Sequence, residues 1–331
     1  MKDLNDTNYN YVFYNVNEDY LEPSFKPLEK YPQIEVRKNA FVSNNLIQKL
    51  FFLHYSYKLN RRIRVPFKKL WFKKICNNSF DNNKPICFVF LGGKYINDAP
   101  ELFYYIKKLN PENKVVIYCA DLISKKNWNI NKVKSHCDYI VTYDKGEAEK
   151  YDICHYKGKY YGALIDITTP SEFENDVYFL GFAKDRLDEI HNTFLSLKNQ
   201  GFNCKFIVCG VDNDKKLSEE GLIYNRPISY LENLKNVQNS KCVLELIQGG
   251  SSSATLRTSE AQVYKRKLLT NNISIVYQDY YDASNMSVFS NFEDIDFDFI
   301  RKPIDYCSFV KRDMYNPYNR ILFFEEFLTG D

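Results

Sequence analysis

The chain has 331 residues, with 45 Lys+Arg against 42 Asp+Glu; a net charge of +3 is too balanced for a generic nucleic-acid binder, so any basic partner site has to be local. Hydrophobic residues at 44% and charged residues at 26% suit a globular protein of about two domains, and only 12 glycines argue against a collagen-like or Gly-rich disordered architecture. No apolar run reaches the ~18 residues of a membrane span, and the polar start from Met1 to Asp6 does not read as a secretory signal.

Residues 1–45 are rich in Asn, Tyr and acidic side chains and have weak periodicity, which predicts an irregular arm or short strands. The stretch from Leu46 spaces Leu46, Leu50, Leu53 and Tyr57 for one helical face. Between Lys58 and Lys74 follow eight Lys/Arg and no acidic residue, interleaved with Phe67, Leu70, Trp71 and Ile75. From Ile86 the pattern alternates. Strand candidates at 86–91, 114–120 and 138–142 are separated by helix candidates at 98–109, 132–137 and 144–150. A second alternating run has strands at 176–180, 205–209, 243–247 and 267–270, with helices at 185–199, 230–239 and 255–264. Ser229 and Glu232 form a capping-box pattern, and an amphipathic helix is expected near 318–327.

Strands alternating with helices imply parallel sheets. The fold class is therefore α/β, with two Rossmann-like domains facing a cleft. The expected boundaries are 1–170 for the first domain, 171–305 for the second, and 306–331 for a C-terminal helix packing back on the first domain.

In such sheets ligands bind beyond the carboxyl ends of the strands. In the second run those positions hold Gly181, Lys184 and Arg186, then Tyr224 to Ser229, then Gly249, Gly250 and Ser251 leading to Thr255, Arg257 and Glu260. A small-residue loop entering a helix offers free N–H donors to phosphate, and Arg257 adds a bidentate donor. Glu260 follows at i+3 and can accept ribose hydroxyls. The alternative is a surface i,i+3 ion pair beside a plain connector. In the first run Asp121 and Asp144 follow strands and are candidate bases, or helix caps.

Other chemistries find little support. No GxGxxG follows a first strand, and GxxxxGK[ST] and HExxH are absent. Asp294, Asp296 and Asp298 alternate with apolar residues and read as a half-solvated strand or helix entry. Nine cysteines, several inside apolar runs, read as buried thiols in a reducing compartment, without a zinc site at Cys204 and Cys209. His191 falls on the polar side of its helix and is read as a surface residue. The basic segment 58–74 suits a solvated face or an anionic membrane surface, and the near-neutral remainder disfavours nucleic acid as a partner.

DVYFLGFAKDRLDEI, ISYLENLKNVQNSKCVLELIQ, TLRTSEAQVYKRKLLTNN and YDASN together resemble bacterial capsule and lipopolysaccharide biosynthesis proteins of the GT-B glycosyltransferase type. Weaker matches in the first half extend the resemblance over roughly 45–300. It implies a nucleotide-diphosphate sugar as donor substrate, no further cofactor, no metal, and a glycan or lipid-linked glycan as acceptor. It also implies a cytoplasmic enzyme, peripheral at the membrane. By the same resemblance Glu260 would bind the donor ribose. Arg257, Lys184 and Arg186 would neutralise the diphosphate, and Tyr224 to Ser229 would lie near the base. The first Glu of the retaining pattern, eight residues before Glu260, is replaced by Ser252. A non-catalytic two-domain binding or scaffold protein, or another nucleotide-dependent transferase, is the alternative.

Overall fold

The computed structural model describes residues 6–16, 19–40, 45–60, 62–63, 65–92, 99–125, 130–156, 167–168, 170–247, 253–309 and 315–330. The chain divides into two compact units. One comprises Met1–Gly158 with Pro317–Asp331, the other Lys159–Asn316.

The first unit is built on six strands: β1 (Asn10–Tyr14), β2 (Ile34–Val36), β3 (Ile86–Leu91), β4 (Lys114–Cys119), β5 (Tyr139–Thr142) and β6 (Cys154–His155). Their order is β2-β1-β3-β4-β5-β6, and every pairing is parallel. Continuous apolar runs such as ICFVFL fit a sheet covered on both faces. Of the irregular arm or short strands expected for the N-terminal stretch, the structure has short strands. β1 is buried along its whole length and pairs with β3, Tyr11 opposite Cys87 and Phe13 opposite Val89. The C-terminal helix Tyr318–Thr329 belongs to this unit. Its Glu325 accepts hydrogen bonds from the Asn8 amide (2.7 Å) and the Tyr11 hydroxyl (2.5 Å), and Phe324 stacks on Tyr11.

The second unit contains β7 (Asn175–Phe182), β8 (Cys204–Cys209), β9 (Leu222–Tyr224), β10 (Ser240–Glu245), β11 (Lys267–Thr270) and β12 (Met286–Val288). The order is β12-β11-β10-β7-β8-β9, again wholly parallel. Numbered within the unit, this is the doubly wound order 3-2-1-4-5-6, with its reversal between β7 and β10. The helix Leu187–Asn199 turns Ile190, Phe194 and Leu197 onto the core and ends before Gly201, whose φ of +83° permits the reversal. All nine cysteines are free thiols.

Candidate functional site

The reversal of strand order places two loops side by side in the second unit. β7 and β10 are adjacent, with Val177 opposite Cys242 and Tyr178 opposite Val243. Beyond their carboxyl ends lie residues 183–186, 246–247 and 253–255, where an open α/β sheet receives a ligand.

Gly181 sits near the end of β7 in a tight place. A Cβ there would meet the Phe179 ring at 2.8 Å and the Arg186 guanidinium at 3.1 Å. Arg186, at the N-cap of the helix Leu187–Asn199, donates from Nε and Nη2 to the Phe182 carbonyl at 3.3 and 3.2 Å. Its Nη1 donates to the Leu246 carbonyl, which joins the two loops. Burial lowers the Arg186 pKa, though a guanidinium keeps its charge. Lys184 is exposed and has a left-handed φ of +47°.

Glu245, the last residue of β10, organises the other loop and is not singled out by the sequence reading. It is buried and accepts hydrogen bonds from the Thr255 amide (3.3 Å) and hydroxyl, the Thr258 hydroxyl (2.8 Å) and the Thr270 hydroxyl (2.7 Å). Thr255 in turn caps the helix Leu256–Val263 by accepting from the Arg257 amide at 3.1 Å. The signal for Glu245 was a carboxylate closing an apolar strand, followed by threonines in the next helix and strand. Gly249, Gly250 and Ser251 lie outside the described residues.

Arg257 and Glu260 do pair at i,i+3, but inside the protein. Glu260 is 0% exposed and the Arg257 side chain 18%. Asn233 completes the cluster: its amide donates to Glu260 at 3.0 Å, and its carbonyl oxygen accepts from Arg257 at 2.8 Å and from the Tyr178 hydroxyl at 3.1 Å. Burial raises the Glu260 pKa against the pull of Arg257. The surface ion pair allowed by spacing alone is replaced by a buried polar network between two helices and β7.

Ser229 starts the helix that carries Asn233, its carbonyl accepting from the Asn233 amide at 3.0 Å, while Tyr224 has other partners. The Tyr224 hydroxyl lies 2.8 Å from His191 Nε2 and accepts from the Leu217 amide at 3.2 Å. His191 is therefore buried at 8% exposure, not a surface residue, and burial lowers its pKa. The helical wheel gives its side of the helix but not Tyr224 of β9, which meets its ring. Ser229 caps the helix Tyr230–Gln238 by accepting from the Glu232 amide. The Glu232 carboxylate pairs with Arg226 (3.0 Å).

In the first unit Asp144 is 1% exposed and caps the helix Lys145–Tyr151, accepting from the Glu147 amide at 2.9 Å. Asp121 is exposed just past β4. Glu147, which the sequence reading passes over, holds the loop after β4 by accepting from the Ile123 and Ser124 amides at 2.7 and 2.8 Å. Asp294 and Asp296 are helix-entry caps, and among the described residues no group of three His, Cys, Asp or Glu is arranged for a metal ion.

No protein-family model matches the chain, and no curated protein matches it. Solved structures do share its architecture. An alpha-glucosyltransferase in complex with UDP and a 13-mer DNA containing an HMU base is 13% identical, with a TM-score of 0.46, over 96% of this chain and 94% of that one. An alpha-glucosyltransferase with UDP-glucose and DNA containing an abasic site is 12% identical at 0.42, over 95% and 89%. The glycosyltransferase SnogD from Streptomyces nogalater is 8% identical at 0.39, over 96% and 94%. These are likenesses of chain path. They correct one expectation: nucleic acid is not excluded as a partner, since two of these structures hold DNA. The exclusion relied on net charge, yet charge in this chain is segregated. Residues 36–80 contain eleven Lys/Arg and no Asp/Glu.

Proposed function

We propose that the chain is a glycosyltransferase that takes a sugar from a nucleotide-diphosphate donor bound by the second unit. The observation that supports this reading is the reversal of strand order between β7 and β10. It gathers Gly181, Lys184, Arg186 and the Thr255-capped helix at one sheet edge. Negative charge builds on the departing diphosphate during transfer. Lys184 and the positive end of the helix Leu256–Val263 would stabilise it there. Turning Arg257 toward the diphosphate would release Glu260 for the donor ribose. Asp121 is the candidate acceptor base, because Asp144 is committed to its cap.

The finer reading takes a glycan or lipid-linked glycan as acceptor, in surface-polysaccharide synthesis and without a metal. It rests on the sequence resemblance of the second half. The test is release of free nucleotide from UDP- and GDP-sugars, with chelator present, upon adding a polysaccharide, a lipid-linked glycan or a DNA oligonucleotide. Acceptor-dependent release that falls at least tenfold in Asp121→Asn supports the reading. Nucleotide binding without release under any acceptor would favour a non-catalytic binding protein.

A further inference from the structure

A second feature, in the first unit, is independent of the donor site. The helix Asn45–His54 is apolar on two sides. Phe51 is buried in the core and Ile47 packs against it, while Leu46, Leu50 and Leu53 form an outer stripe at i, i+4 and i+7. Those three leucines are 68%, 47% and 55% exposed. Ile63, Phe67 and Leu70 follow in sequence and are also exposed. Of thirteen large apolar side chains exposed among the described residues, six thus fall within 46–70. Scattered exposed leucines need no explanation, but a helical stripe continued by three more apolar side chains marks an interaction surface.

The carriers are fastened together. Trp71 Nε1 donates to His54 Nδ1 at 3.0 Å, and its ring meets Phe51 edge-on, which fixes the 3-10 turn Lys68–Trp71 against the end of the helix. Phe67, just before that turn, has a left-handed φ of +63°. This is a costly conformation for a bulky side chain, and the ring is left 73% exposed. Lys49, Arg62, Lys69, Lys73 and Lys74 are exposed in the same stretch. Residues 36–80 hold eleven of the chain's 45 cations and none of its 42 carboxylates. Lys73 and Lys74 also edge an open pocket of about 470 Å³ with Arg37, Asn78 and Ser79, and with Glu35 as its one carboxylate. No helix among the described residues is long and apolar enough to cross a membrane.

We propose that this surface docks on a lipid leaflet carrying anionic headgroups. Leu46, Leu50, Leu53, Ile63, Phe67 and Leu70 enter the interface, and the lysines and Arg62 lie at headgroup level. Five of the six apolar side chains are aliphatic. A nucleic acid offers phosphates and base faces but nothing that removes isolated leucines from water, so lipid fits the pattern better.

The test is flotation of the full chain with vesicles of phosphatidylcholine alone and of equimolar phosphatidylcholine and phosphatidylglycerol. Wild type is expected to float with the anionic vesicles only, and less as salt rises. The triple variants Leu46→Ser/Leu50→Ser/Leu53→Ser and Lys69→Glu/Lys73→Glu/Lys74→Glu are each expected to lose about tenfold or more of partitioning. Unchanged melting temperatures would show that both remain folded; the single variants Leu53→Ser and Phe67→Ser, losing less each, serve if a triple variant does not fold. Failure of wild type to float with anionic vesicles overturns the proposal. So does equal flotation by folded leucine variants, or retention of an oligonucleotide by a chain that ignores vesicles.

Discussion

The Arg186 guanidinium donates to the Leu246 carbonyl, so the loop after β7 and the loop after β10 are held together by one side chain. The same guanidinium donates twice to Phe182, and Gly181 leaves the space for it. Arg186→Lys cannot reproduce the fork and is expected to cost about 1–2 kcal/mol. Gly181→Ala, which drives a methyl into the Phe179 ring, is expected to cost about 1–3 kcal/mol. Urea denaturation of both variants checks this. Stabilities equal to wild type would show that the junction is unimportant.

The Arg257–Glu260–Asn233 cluster is fully internal on the Glu260 side, so removing one charge leaves the other buried. Arg257→Met is expected to destabilise by about 3 kcal/mol. Adding Glu260→Met to it should cost less than the sum of the single changes, since the stranded carboxylate goes too. A double-mutant cycle in urea reads the difference, and strict additivity would contradict the pairing.

His191 gives a pH dependence on the acid side. Burial lowers its folded-state pKa below the ordinary value of 6.5. The unfolded chain therefore takes up the proton first as pH falls through 6.5, and stability is lost in that window. His191→Gln removes the titration, so the midpoint difference between wild type and variant should move against wild type as pH falls from 7 to 5. A constant difference would rule this out.

Lys267 acts on the alkaline side. It is buried, donates to the carbonyls of Phe299 and Lys302 (2.8 Å to Lys302), and has its pKa pushed down to about 8. Above pH 8 the folded chain sheds this proton before the unfolded chain does, so the group's contribution becomes more favourable between pH 8 and 10.5. Wild type should therefore gain on Lys267→Met as pH rises through that window, measured by urea midpoints. A falling difference would show that the carbonyls hold the charged form.

Much of the architecture is legible locally. ICFVFL and KVVIYC are apolar runs that can only be buried strands or helix cores, and their length and flanks select strands. β1 is harder to read, because NYVFY lies among Asn and Tyr residues and its partners Ile34–Val36 and Ile86–Leu91 are distant. The three-residue edge strands β9 and β12 carry too little pattern to be seen. At the site, spacing places Arg257 beside Glu260 because one helix holds both. Spacing does not reveal Asn233, nor that Glu245 gathers Thr255, Thr258 and Thr270, because those contacts are made by packing across separate elements. Asp144 and Glu147 show the same limit: the place of Asp144 after a strand suggests a base and nothing singles out Glu147, while their amide partners make both positioning groups.

The most direct measurement of the central claim is a thermal-shift titration with UDP, GDP and CMP, chelator present, on wild type and Lys184→Glu. Lys184 is exposed, so its replacement should leave the melting temperature of the unliganded chain unchanged. A ligand that binds only the folded state raises the melting temperature by mass action. One nucleoside diphosphate is expected to raise the wild-type melting temperature, with the shift reduced or lost in Lys184→Glu. No shift with any nucleotide, or an equal shift in the variant, would contradict a diphosphate site at the junction of β7 and β10.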